Sequence, residues 1–124
     1  AMEIDEICHR RDGAAWPCGK AAAVALAKFL EGRTVNCDVW QGNTRDAYGR
    51  FISICYVGSD NLSAWVANEG WAIADRDANR LYNYISQEGM AKFLARGIWD
   101  GTFDPPAEWR QEHPKMGQQA EERP

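Results

Sequence analysis

A chain of 124 residues and 14.0 kDa has room for one domain with a modest core. Its formal charge of -4 and pI near 5.1 argue against a general nucleic-acid coat protein, because neutralising a phosphate backbone takes concentrated Lys and Arg. No apolar run reaches the roughly 18 residues of a membrane span, and no amino-terminal stretch has the pattern of a signal peptide.

In chain order, residues 1–19 read as irregular, because Gly13, Pro17 and Gly19 interrupt any element. Residues 20–31 predict a helix: the segment is Ala-rich, Ala22, Ala25, Leu26, Phe29 and Leu30 form an apolar stripe, and Gly32 stops it. The stretch 34–57 predicts two antiparallel arms. In the first, Val35, Cys37 and Val39 alternate with Asn36 and Asp38, the period of a half-buried strand. In the second, Phe51, Cys55 and Val57 share one face with Ser53, while Ile52, Ile54 and Tyr56 make the other face apolar too, so this arm wants cover on both sides. Asn43 and Gly49 suit turns in the link, Asp46-Ala47-Tyr48-Gly49 narrows it, and Arg50 stands at the mouth of the second arm.

Beyond the arms, Ser59, Asp60 or Asn61 caps a short helix to Glu69 that buries Leu62, Trp65 and Val66, and Gly70 ends it. Residues 71–74 read as a buried extended segment. The longest predicted helix runs 81–96, with Leu81, Tyr84, Ile85, Ala91, Leu94 and Ala95 inward and Gly97 as its cap. Glu88 falls on that inward surface, where an Arg or backbone donors would hold a partly buried carboxylate. Pro105-Pro106 ends regular structure, Trp109-Arg110 docks, and residues 113–124 read as a polar tail. Six Trp, at 16, 40, 65, 71, 99 and 109, read as core and seam material.

Cys8, Cys18, Cys37 and Cys55 allow three disulfide pairings. Cys37 and Cys55 lie on apolar faces of the two arms, so a register that puts them opposite permits a cross-strand bridge, and Cys8 and Cys18 would then close the loop bearing Trp16. Strand parity permits this pairing without demanding it. Four reduced core thiols or a mixed pattern are the alternatives, and a zinc site is weaker because no tight Cys-x-x-Cys pair occurs. Two bridges would imply an oxidising compartment, periplasmic or extracellular. His9, Arg10, Arg11, Arg45 and Arg50 are local cations that either focus an anion or are solvated surface charges.

The order and spacing of several pieces carry a resemblance: Asp46-Ala47-Tyr48-Gly49-Arg50, Leu62 with Val66 and Gly70, Tyr84 with Glu88, and Gly97-Ile98-Trp99-Asp100-Gly101 followed by Phe103, Pro106, Trp109 and Arg110. Together they resemble the carboxy-terminal two-thirds of the thermonuclease, or staphylococcal nuclease-like, family. With Trp16-Pro17-Cys18-Gly19, the chain is similar to a secreted bacterial branch that includes proteins associated with succinoglycan biosynthesis. The resemblance implies an α+β fold: an incomplete OB-type barrel, a short antiparallel sheet packed against three helices, over residues 1–112. It also implies calcium-dependent hydrolysis of DNA and RNA phosphodiesters, by two carboxylates on calcium, a general-base Glu and two Arg that clamp phosphate.

Arg50 matches the second of those arginines. Glu3 resembles the Glu of the family's Asp-x-Pro-Glu segment, although Met2 replaces the Pro, and Arg45 is a second phosphate-binding candidate. The family's first three strands, with the first Arg and the metal-binding Asp residues, have no counterpart in these residues. Asp5, Glu6 and Asp46 are available carboxylates that read as surface residues or turn-formers. The expectation is therefore a truncated thermonuclease-like domain of weak or no hydrolytic activity that by itself holds no cofactor. The competing expectation is a non-catalytic envelope accessory module in exopolysaccharide production, with a polysaccharide-related partner. Nucleic acid as a binding partner ranks behind both, and unpaired strand edges with two-sided apolar strands predict a homodimer.

Overall fold

The first nineteen residues are more regular than their Gly and Pro content suggests. In the computed structural model, which describes residues 2–39, 49, 53–74 and 84–114, they contain two strands and the start of a helix. In order, the elements are β1 (Cys8–Arg10), β2 (Ala15–Trp16), α1 (Cys18–Leu30), β3 (Val35–Val39), β4 (Ser53–Val57), β5 (Asp60–Asn61), α2 (Leu62–Asn68), α3 (Ile85–Phe93), a 3-10 turn (Gly97–Trp99), β6 (Gly101–Thr102) and α4 (Pro106–Glu112). The fold is α+β as expected. The described residues hold four helices and two small antiparallel sheets, ordered β2-β1-β6 and β3-β4-β5, in place of one sheet and three helices.

The second sheet is the predicted pair of arms, and its register places Cys37 opposite Cys55. A disulfide joins them, and a second joins Cys8 to Cys18, so the pairing that strand parity merely permitted is the one formed. Half-burial of Ile54 and Tyr56 on one face, and of Cys55 beside buried Val57 on the other, agrees with the two-sided apolar pattern of this arm. Residues 51 and 52, the start of that arm in the sequence reading, lie outside the described residues.

The first sheet eluded the sequence because its strands are two or three residues long and rest on a distant partner, with His9 opposite Thr102 and Arg10 opposite Gly101. Helix α1 starts two residues before the predicted Lys20, because Pro17 serves as its N-cap and Cys18, tied by its disulfide, enters the first turn. Asn61 caps α2 as one of the three candidates, accepting from the Ala64 N–H at 3.1 Å. Gly70 ends α2 in a Schellman motif: at φ +81° its N–H donates to the Ala67 carbonyl while the Trp71 N–H donates to Val66.

Helix α3 ends differently from the prediction. Ala95, with φ 52°, takes the left-handed position expected of Gly97, its N–H donating to Lys92 while the Arg96 N–H donates to Ala91. At the other end α3 begins at Ile85 with left-handed Tyr84 as its N-cap; residues 81–83 lie outside the described residues. Pro105-Pro106 does not end regular structure either. Proline lacks the N–H that the first helical position has no use for, and Pro106 opens α4.

The core joins both ends of the chain. Cys8, Cys18 and Ile98 are buried, and Met2, Trp16, Trp71, Ile73, Trp99 and Phe103 pack around them. Trp16 meets Trp71 with ring centres 6.1 Å apart, Trp99 meets Phe103 edge-on at 5.0 Å, and Trp65 stacks on Phe29 at 4.1 Å. These four tryptophans serve as core and seam, as read; Trp40 lies outside the described residues. Residues 71–74 follow no regular element, and of them Ala74 is buried. Its N–H donates to Oε1 of Glu88 at 3.1 Å, so backbone holds this buried carboxylate as anticipated, with Lys92 at 3.6 Å from the other oxygen.

Candidate functional site

Glu3, the carboxylate the sequence singled out, sits in a short turn that its own neighbours close. The Glu6 N–H donates to the Glu3 carbonyl at 3.1 Å, and the Glu3 N–H donates back to Oε1 of Glu6 at 2.7 Å. The turn leans on the start of α1, where the Gly19 N–H donates to the Glu6 carbonyl at 3.1 Å. Only glycine fits there: a Cβ on residue 19 would run into the Glu3 carbonyl oxygen and lie 2.8 Å from the Ile4 carbonyl carbon.

Glu6 is therefore not the surface residue the sequence suggested. It is 2 % exposed, and burial pushes its carboxyl above the ordinary 4.5 against the pull of the hydrogen bond from the Glu3 N–H. Its role is to hold the backbone of Glu3.

The side chains of this segment meet the last helix. Arg110 Nη1 lies 3.5 Å from Oε1 of Glu3, and Trp109 Nε1 donates to Oδ1 of Asp5 at 3.2 Å. The Trp109 ring stacks on His113, with centres 3.8 Å apart and planes 15° from parallel. His113 Nδ1 lies 3.1 Å from the Trp109 carbonyl, an acceptor that calls for a proton on that nitrogen. The sequence anticipated that Trp109 and Arg110 dock; what they dock onto had no local signal, since the contacts span 104 and 107 residues.

Arg45, Arg50 and Asp46 lie outside the described residues; next to Arg50, Gly49 is exposed at φ +79°. Arg10 and Arg11 are engaged. Arg10 lies over the Trp16 ring at 4.6 Å, and Arg10 and Arg11 pair with Asp100 at 3.8 and 3.5 Å.

The carboxylates available for calcium among the described residues do not converge. Glu3, Asp5 and Glu6 send their carboxylates to Arg110, to the Trp109 indole and to the Glu3 N–H, and no group of three or more metal-ligating side chains occurs among the described residues. These residues do not fit the ion, and no step is routed through it. What the arrangement offers is a carboxylate 23 % exposed at its side chain, on a pinned backbone and beside one guanidinium. Such a group can take a proton from a water or hydroxyl placed against it.

The setting is consistent with an extracytoplasmic protein: two disulfides mark an oxidising compartment, and no described helix is long and apolar enough to cross a membrane. Succinoglycan biosynthesis protein ExoI of Rhizobium meliloti (strain 1021) is 36 % identical over 101 residues, which cover 80 % of this chain and 51 % of that protein. The chain thus spans about half the length of the curated relative it matches. The staphylococcal nuclease homologue family, whose members are generally calcium-dependent, matches residues 2–101, a stretch that takes in every described element before β6 and ends within β6. The chain belongs to the staphylococcal nuclease homologue family.

Proposed function

We propose that this is a phosphodiester-directed domain of the staphylococcal nuclease type, built on an OB-type barrel, in which Glu3 is the general base and Arg50, with Arg45, grips the phosphate. The observation that carries this reading is the pinned Glu3: its backbone is closed by Glu6 and seated on Gly19 within the family-matched residues. A carboxylate held this way takes the proton of the attacking water while a guanidinium fork neutralises charge on the phosphate oxygens. Because these groups are only part of the family's machinery, the 124 residues by themselves hydrolyse DNA or RNA slowly or not at all.

The test is calcium-dependent cleavage of a labelled single-stranded oligonucleotide. A slow rate proportional to protein and lost in both Glu3→Gln and Arg50→Ala supports the assignment. A rate that both variants keep refutes it.

A second reading is an accessory role in exopolysaccharide production, in the periplasm or outside the cell, with a polysaccharide-related partner. Similarity to a protein named for succinoglycan biosynthesis favours it. Cleavage at the level of buffer, together with loss of exopolysaccharide on deletion of the gene and its return with Arg50→Ala, would select this reading.

Either role involves a second copy of the chain. Among the described residues strand β3 ends its sheet, and Val35 on it is 39 % exposed, which offers an edge to another protomer. Sedimentation equilibrium should give persistent mass near twice 14.0 kDa, and a 14.0 kDa species throughout the micromolar range would reject the dimer.

A further inference from the structure

Glu6 and Gly19 fix the backbone of Glu3 but leave its three side-chain torsions to be restrained by something else. The guanidinium of Arg110 stands 3.5 Å from the Glu3 carboxylate, and one residue earlier the Trp109 indole holds Asp5 at 3.2 Å. Two successive residues of α4 thus grip two alternate residues of the amino-terminal segment. The His113 ring stacks on the gripping indole. Helix α4 begins at Pro106, beyond the family-matched residues 2–101.

We propose that Trp109 and Arg110 are positioning residues for Glu3, and that α4 is a brace that fixes the carboxylate-bearing segment against α1. An exposed ion pair contributes little to global stability, so the Arg110 contact is weak as a staple. As a restraint on one side chain it matters more, because a proton acceptor must be held to a fraction of an ångström. The effect on turnover rests on the phosphodiester reading; the bracing itself is measured independently of it.

The experiment compares the full chain with Arg110→Ala, Arg110→Lys and Trp109→Phe, the last keeping the ring and removing the donor. Amide hydrogen exchange reads the Glu3 and Gly19 N–H groups, with β3 and β4 as the internal reference. Both Arg110→Ala and Trp109→Phe should exchange these amides about three- to fivefold faster while the reference strands hold. Cleavage of the labelled oligonucleotide should lose kcat about tenfold in Arg110→Ala at unchanged KM, with partial recovery in Arg110→Lys.

Unchanged exchange in both variants overturns the brace. So does faster exchange with unaltered kcat in a chain that hydrolyses. If the unmodified chain hydrolyses nothing, there is no turnover to compare and the exchange result alone decides the brace. If Arg110→Ala does not fold, Trp109→Phe carries the same comparison.

Discussion

Two disulfides tie this chain, and they sit in opposite surroundings. Cys8 and Cys18 are both wholly buried, at the centre of a cluster with Ile98 and four partly buried tryptophan and phenylalanine rings, those of Trp16, Trp71, Trp99 and Phe103. Cys37 is exposed and Cys55 half-buried, on a ladder whose first strand has little over it. One bridge adds to packing that already exists; the other holds a register where packing is thin. Loop closure alone ranks them the other way, since the bridged residues are 10 and 18 apart. Chain entropy gives about 2.8 kcal/mol for the shorter loop and about 3.2 for the longer.

Removing each bridge therefore separates packing from chain entropy. Replacing Cys8 and Cys18 together by Ala should cost about 4 to 5 kcal/mol, the loop contribution plus the cavity left by two buried sulfurs, read by denaturant unfolding. The same exchange at Cys37 and Cys55 should cost about 3 kcal/mol, because exposed Cys37 leaves no cavity and half-buried Cys55 only a shallow one. The reverse order would mean that the first core relaxes to fill its gap.

A third variant tests the seam between the buried bridge and the candidate site. Gly19→Ala forces a methyl against the Glu3 and Ile4 carbonyls and should cost about 2 kcal/mol, with the largest amide shifts at residues 3–6. A neutral outcome would show that the turn gives way freely, contrary to a pinned Glu3.

The smallest effect is at Glu6, and its sign follows from the direction of its shift. Burial raises this carboxyl above 4.5, so the fold prefers the protonated form. Its contribution to stability is fully present below the unfolded value and is lost as pH rises through the folded one. Glu6→Gln should then be more stable than the unmodified chain at neutral pH, with the gain fading as pH falls through the raised folded value and gone below 4.5. A gain that grows on acidification would contradict the assignment.

Legibility in the sequence followed how local each determinant is. The two arms as strands, the Asn61 cap and the Gly32 and Gly70 stops are written within a few residues of where they act, and the structure has each of them, although residues 35–38 of the first arm are exposed where their period implied half-burial. The β2-β1-β6 sheet was not legible, because strands of two or three residues have no measurable period and close only when residues 101–102 arrive beside 9–10. Helix α4 was misread because a Pro-Pro pair looks like an end and here is a beginning. In the site, Glu3 was found through its place in a family pattern. Its partner Arg110, 107 residues away, and the buried state of Glu6 depend on how the two ends of the chain meet, which no window of sequence contains.

In the proposed role the segment around Glu3 faces a phosphodiester. Amide chemical shifts of the full chain, titrated with a short single-stranded oligonucleotide in calcium buffer, test it most directly. The account predicts salt-sensitive shifts clustered at residues 3–6 and at Gly49-Arg50, weakened by Arg50→Ala. Shifts absent at millimolar oligonucleotide, or confined to residues outside those two clusters, would contradict it.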